Sequence, residues 1–273
     1  MAKAYSDHAG ARLRPSPNHN ERRFESAGEG GVDMLILHYT AMPDAERAVR
    51  WLSNPESEVS AHYMVYADGS IDQLVPESRR AWHAGLSAWC TGAGTGRDVN
   101  SRSIGIEIDN TGVMYRGEDA DDDAPILQPA AYTDRQIEAL IHLCGGICQR
   151  HAIAPRHVLG HSDVAPNRKQ DPGEHFPWSR LHEAGIGHWV EPEPIGSGQF
   201  FGPGDAGAPV EALQKMLRLY GYEVDATGCM DAHTSSVITA FQRHFRPQRV
   251  DGIADRSTIT TLHKLLSSLP SLS

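Results

Sequence analysis

The sequence predicts an α/β (α+β) protein: a mixed central β-sheet flanked by helices, followed by a second, small three-helix domain. Three observations carry this. Short apolar runs suited to buried strands alternate with stretches whose apolar residues recur at helical spacing. Ser103 to Asp109 alternates cleanly, with Ile104, Ile106 and Ile108 on one side and Gly105, Glu107 and Asp109 on the other. Past the Pro/Gly-rich stretch Glu191-Pro192-Glu193-Pro194-Ile195-Gly196-Ser197-Gly198, only helical periodicity remains.

The elements follow in order. Residues 1–30 are polar, contain Pro15 and Pro17, and read as an irregular arm. Val32 to His38 reads as a buried strand whose apolar run ends in a histidine. Pro43 and Asp44 open a helix, with Ala45, Ala48, Val49 and Leu52 at i, i+3, i+4 and i+7. His62 to Tyr66 and Ser70 to Val75, joined at Asp68-Gly69, form a hairpin. Thr133-Asp134 caps a helix from about Arg135 to Arg150. One domain therefore spans 31–190, a linker 191–206 and a helical domain 207–273. Three amphipathic helices fill the last part, lined by Val210, Leu213 and Leu217, by Val237, Phe241 and Phe245, and by Ile259, Leu262 and Leu266. The loops before the second and third repeat a Gly-x-x-Asp-x-x-Thr pattern: Gly228, Asp231, Thr234, then Gly252, Asp255, Thr258. Glycine allows a left-handed turn there and Asp or Thr caps the helix. This duplicated bundle holds no catalytic constellation and reads as a binding module.

Composition narrows the class. In 273 residues, 25 Lys+Arg stand against 35 Asp+Glu, a net charge of −10. That balance argues against a partner recognised through a phosphate backbone, so no nucleic acid is expected. Charged residues at 22% and hydrophobic ones at 40% fit a globular chain. No run approaches the ~20 apolar residues of a membrane span. The first residues, Met1 to His8, lack the apolar core of a secretion signal, so the chain as written is expected in the cytoplasm, acting as a monomer. Four cysteines are too few for a disulfide framework. Cys144 and Cys148 lie in phase with Ile137, Leu140 and Ile141 and read as small buried hydrophobes. Glu118 to Asp123 holds five acids in six residues and reads as a solvated loop rather than a calcium site.

The tract from His157 to Gly173 is the most chemical part of the chain. It places His161, Lys169 and Asp171 in a Pro/Gly-punctuated loop, while His38 ends a strand. Two imidazoles and one carboxylate are enough to hold one zinc ion and leave a position open for a water that the metal makes acidic. Glu107 projects from the face opposite three isoleucines and is the candidate general base. Lys169, two residues before Asp171, can stabilise an oxyanion. Trp82 and His83 are candidates for contacting substrate, and His62 for lining the cleft or supporting it.

Leu37-His38-Tyr39-Thr40-Ala41, Val59-Ser60-Ala61-His62-Tyr63, Arg80-Ala81-Trp82-His83-Ala84-Gly85, Ser103-Ile104-Gly105-Ile106-Glu107-Ile108, Gly160-His161-Ser162-Asp163-Val164-Ala165-Pro166 and Lys169-Gln170-Asp171-Pro172-Gly173 occur in that order. From about residue 14 to 182 this resembles the zinc N-acetylmuramoyl-L-alanine amidases of the AmpD/AmiD type, relatives of peptidoglycan-recognition proteins. The resemblance implies one zinc per chain in a surface groove, with His38, His161 and Asp171 as ligands and Glu107 and Lys169 as the catalytic pair. It implies peptidoglycan or muropeptides as substrate, cut between the lactyl group of N-acetylmuramic acid and L-alanine. The tail, through Gly207 to Tyr222, Ala240-Phe241-Gln242 and Val250-Asp251-Gly252, resembles a three-helix peptidoglycan-binding module, expected to tether the chain to wall polymer. That two-domain arrangement is closer to the AmiD side, which makes the periplasm or cell envelope the alternative compartment. Two rivals stand beside this reading: a non-catalytic recognition protein using the same groove, and a zinc peptidase cutting within the stem peptide.

Overall fold

The computed structural model describes residues 6–23, 31–90, 96–112 and 131–270. The N-terminal stretch is not wholly irregular: it supplies β1 (Arg12–Leu13) and β2 (His19–Asn20). Strands of two residues are too short to show alternation in a sequence. Side chains hold them: Arg12 pairs with the buried Asp72 at 2.7 Å, and Asn18 Nδ2 donates to the carbonyls of Asn54 and Val59.

The apolar run becomes β3 (Met34–Tyr39). Asp44 then caps α1 (Ala45–Leu52), its Oδ1 accepting the Arg47 N–H at 2.7 Å. The hairpin forms from β4 (Tyr63–Val65) and β5 (Ile71–Gln73), and β6 (Arg80–Ala81) pairs with β2. A single turn, α2 (Val99–Arg102), leads into β7 (Ser103–Ile108). Thr133 caps α3 (Asp134–His151) as expected. After β8 (Val158–Gly160) come the single turn α4 (His161–Val164) and α5 (Trp178–Glu183). The sheet runs β1-β5-β4-β7-β3-β8, with β4, β7, β3 and β8 mutually parallel and β5 reversed. It is the mixed sheet that the sequence predicts.

Alternation decides what each face buries. Leu35, Leu37, Ile104, Ile106 and Ile108 pack against Ile137, Leu140, Leu143, Cys144 and Ile147 of α3. On the opposite face, α1 brings Val49 and Leu52 against Met64. The other side of that face, at Met34, Ile36 and Leu159, is covered by the tail. The tail comprises β9 (Phe200–Phe201), α6 (Ala208–Tyr220), α7 (Ala232–Phe245), β10 (Ala254–Asp255) and α8 (Arg256–Ser267).

The duplication is visible in the tail's geometry. Gly228 and Gly252 share a φ of +72°, in the left-handed region. Asp231 accepts the Thr234 N–H at 2.7 Å and Asp255 the Thr258 N–H at 2.8 Å. The repeat extends to Gln214 and Gln242, whose side-chain Oε1 atoms accept the N–H of Gly228 and Gly252 respectively. The Pro-rich stretch lies against α8, with the Glu193 N–H on Thr261 Oγ1 and its carboxylate on Lys264. The acidic run Glu118 to Asp123 lies outside the described residues. Cys144 is buried in α3 and Cys148 half-buried, both free. Among the described residues no helix is long and apolar enough to cross a membrane.

Candidate metal and active site

His38 continues the side of β3 that carries Met34 and Ile36, but lies beyond the apolar cover, near the strand's C-terminal end. Glu107 is its register partner on β7, and Met64 on β4 stands in register with Glu107. Side chains in parallel register share a face, so an imidazole and a carboxyl form the floor of one cleft. The cleft holds about 260 Å³ and is lined by seven of the eight residues singled out in the sequence, His38, Trp82, His83, Glu107, His161, Lys169 and Asp171, but not by His62. Trp51 and Leu52 of α1 form part of its wall.

His161 is the first residue of α4, directly after β8. The chain then turns back so that the Asp171 carbonyl accepts the Ser162 N–H at 3.0 Å. This approach needs Gly160, because a Cβ there would stand 2.7 Å from Pro172 Cδ. The result is a triangle. His38 Nδ1 lies 2.9 Å from His161 Nδ1 and 2.9 Å from Asp171 Oδ2, and His161 Nδ1 lies 3.0 Å from that same oxygen. These three residues form a buried group able to hold a metal ion. Donors bound about 2 Å from a shared ion would stand about 3.3 Å apart in a tetrahedron, close to what is seen.

The surrounding hydrogen bonds test this fit. His161 Nε2 lies 3.1 Å from the Ala84 carbonyl, which only accepts, so Nε2 carries the proton and Nδ1 offers a lone pair. The Ser103 hydroxyl donates to the Val99 carbonyl at 2.6 Å and therefore accepts from His83 Nε2 at 3.1 Å. His83 Nδ1 is then an acceptor, and His38 Nε2 donates to it at 3.0 Å. His38 Nδ1 is thereby left with a lone pair as well. Burial, and after it His161, push the His38 imidazolium down against the pull of Asp171, to about 4. Burial, with His38, also drives His83 well below its ordinary value. Both rings are neutral near pH 7. Two lone pairs and a carboxylate oxygen thus converge with no proton between them, an arrangement that a shared cation makes favourable.

Burial, and after it the Asp171 charge, push the Glu107 carboxyl up, Lys169 opposes both, and the net result is about 8. Its Oε2 is buried with no hydrogen-bond partner among the described residues. A carboxyl poised near neutrality beside three metal-suited donors can exchange a proton there. Lys169 follows the turn that links its N–H to the Ala165 carbonyl, and is half-buried at the cleft. Trp82 borders the cleft with its indole N–H on Asn20 Oδ1 at 3.0 Å. His83 also borders it, yet both ring nitrogens are engaged, by His38 and Ser103. Its ring rests on Gly105, where a Cβ would come within 2.4 Å. His62 lies deeper, its Nδ1 accepting the Gly105 N–H. Two residues went unnoticed in the sequence. Ser103 carries no spacing signal, and Trp51 falls outside the apolar stripe of its helix, although a tryptophan there, 49% exposed, is itself a signal.

Residues 28–174 match the model of a family described as N-acetylmuramoyl-L-alanine amidase, and residues 206–262 one described as a putative peptidoglycan binding domain. The chain is 38% identical over 257 residues to the N-acetylmuramoyl-L-alanine amidase AmiD of Escherichia coli, covering 90% of this chain and 86% of that protein. It is 32% identical to the 1,6-anhydro-N-acetylmuramyl-L-alanine amidase AmpD of Enterobacter cloacae over 190 residues, covering 63% and 88%. Among solved structures, it is similar to E. coli AmiD in complex with anhydro-N-acetylmuramic acid-L-Ala-D-γ-Glu-L-Lys, with TM-score 0.71, 35% identity and coverage of 86% and 89%. It is also similar to AmpDh3 of Pseudomonas aeruginosa, solved alone and with an anhydromuramic pentapeptide, with TM-score 0.68, 32% identity and coverage of 99% and 100%. With this fold, and with a match over more than half its length, the chain belongs to the N-acetylmuramoyl-L-alanine amidase family.

Proposed function

We propose that this chain is a zinc-dependent amidase that hydrolyses the bond between the lactyl group of N-acetylmuramic acid and L-alanine, in peptidoglycan or muropeptides. The observation that carries the reading is the convergence of two lone-pair nitrogens and a carboxylate oxygen beside the buried Glu107 carboxyl, whose Oε2 has no hydrogen-bond partner among the described residues. The muropeptides bound in the similar AmiD and AmpDh3 structures support the substrate class.

His38, His161 and Asp171 would hold the ion. Bound there, zinc supplies Lewis acidity, polarising a carbonyl and making a water acidic near neutrality. Glu107, whose ionised carboxylate a dication held by these three ligands would favour, takes a proton from the attacking water as its oxygen joins the lactyl carbonyl carbon. As the C–N bond breaks, Glu107 passes that proton to the departing alanine nitrogen. The Lys169 ammonium offsets the charge that develops on the carbonyl oxygen. The second matched domain supports association with the cell wall. The presence of both Glu107 and the three ligands favours hydrolysis over recognition alone.

The test is mass spectrometry of digests of intact wall and of anhydro-muropeptides, with and without a chelator. The expected products are free sugar and an uncut stem peptide, and no release with chelator. Shortened peptides, or untouched substrate from zinc-loaded protein, would overturn the reading.

A further inference from the structure

Asp163 stands two residues past His161 on the same turn, α4, yet it serves the tail rather than the cleft. It is 1% exposed. Its Oδ2 accepts the Gly160 N–H at 2.8 Å and His244 Nδ1 at 2.7 Å, and its Oδ1 accepts the Tyr222 hydroxyl at 2.6 Å. Tyr222 follows α6 and His244 lies in the last turn of α7, so both donors come from the tail. His244 is clamped in place, its ring stacked 3.7 Å from Trp178 and 3.8 Å from Phe245. The Tyr222 ring is packed against Trp89, 4.9 Å away. A buried carboxylate that loses its donors is strongly penalised, so these bonds specify where α4 sits. The same turn is fixed from the other side by the Ser162 N–H on the Asp171 carbonyl.

We propose that the tail is part of the scaffold of the metal site. Tyr222 and His244 are positioning residues that, through Asp163, fix the turn presenting His161. This rests on the reading of His161 as a metal ligand. It differs from a tethered module, because a tether carries no information about the geometry of the cleft.

The test uses the full chain, stripped of metal and titrated with zinc against a chromophoric chelator, at a temperature where every variant is folded. Tyr222→Phe keeps the packed ring and removes one donor. His244→Ala removes the other, and His244→Asn restores an N–H near the same place. Tyr222→Phe and His244→Ala are expected to weaken zinc binding about tenfold, with His244→Asn recovering part of the loss. Lys264→Ala breaks a tail contact at the surface, with Glu193, and is expected to leave zinc binding unchanged. A purely structural bond would lower the unfolding temperature of the metal-free protein without changing the zinc affinity of folded molecules. Unaltered zinc affinity in Tyr222→Phe and His244→Ala would overturn the proposal, and Tyr222→Phe alone decides if the His244 variants do not fold. If the unaltered chain takes up no zinc, the ligand reading fails and this proposal falls with it.

Discussion

His38 and Glu107 stand side by side in register on two parallel strands, and both project from the sheet face that α3 does not cover. A one-residue slip of either strand would turn its side chain into the opposite core. The pairing therefore joins the proposed metal ligand and the proposed proton carrier in one rigid element.

The amide Glu107→Gln keeps the shape of that floor but cannot carry a proton. Zinc content should stay stoichiometric while turnover falls by about 10²–10⁴-fold. Metal analysis alongside a product assay checks both halves, and full activity would remove Glu107 from its role.

Gly105 lies under the His83 ring, which in turn holds His38. A Gly105→Ala methyl should push His83 away and release His38 from its fixed tautomer. Zinc affinity is expected to fall about 10–100-fold, as for other residues that orient a metal-binding histidine. Competition against a chelator measures this, and unchanged affinity would refute the support role of His83.

Trp51 is 49% exposed at the cleft wall. If a sugar face stacks there, Trp51→Ala should raise KM several-fold, in line with about 1 kcal/mol of lost contact. Zinc affinity and thermal stability should not change. An unaltered KM would mean that the glycan takes another path.

Glu77 carries a pH signature far from the cleft. Burial raises its pKa, but hydrogen bonds from His151, Arg150 and Tyr63 more than offset this and hold it at about 2, against an ordinary 4.5. Its stabilising contribution is thus complete above about pH 4.5 and is lost as pH falls towards 2. Thermal unfolding followed across that window should show a shallower pH slope in Glu77→Gln than in the unaltered chain. Equal slopes would assign the acid sensitivity to other carboxylates.

Removing metal should cost stability as well as activity. Zinc at about 100 times its dissociation constant would stabilise the fold by about 2.7 kcal/mol. Calorimetry with and without chelator reads this as a lower unfolding temperature in the stripped protein. Identical transitions would contradict a buried, preformed site.

The fold was legible wherever one face of an element is buried and the other is not. The alternation of Ser103 to Asp109, the spacing of Ala45 to Leu52 and the caps at Asp44, Thr133, Asp231 and Asp255 all appear where the pattern places them. The seven cleft residues are legible as a group because loops and strand ends rarely hold such side chains without reason. The short strands β1 and β2 were not, since pairing over two residues leaves no periodic trace. Ser103 and Gly105 were equally hidden as supports. Their importance comes from His83, which reaches them only after the chain has folded.

The tail's docking also limits how the chain can be cut. Phe241, Leu217 and Val237 share a core with Met34, Ile36 and Leu159. A version ending within 191–206 would bare a strip of aliphatic side chains to water and invite self-association. Swapping in another wall-binding cassette would meet the same obstacle unless the new piece matched that strip, so modular engineering here must treat the two segments as one unit.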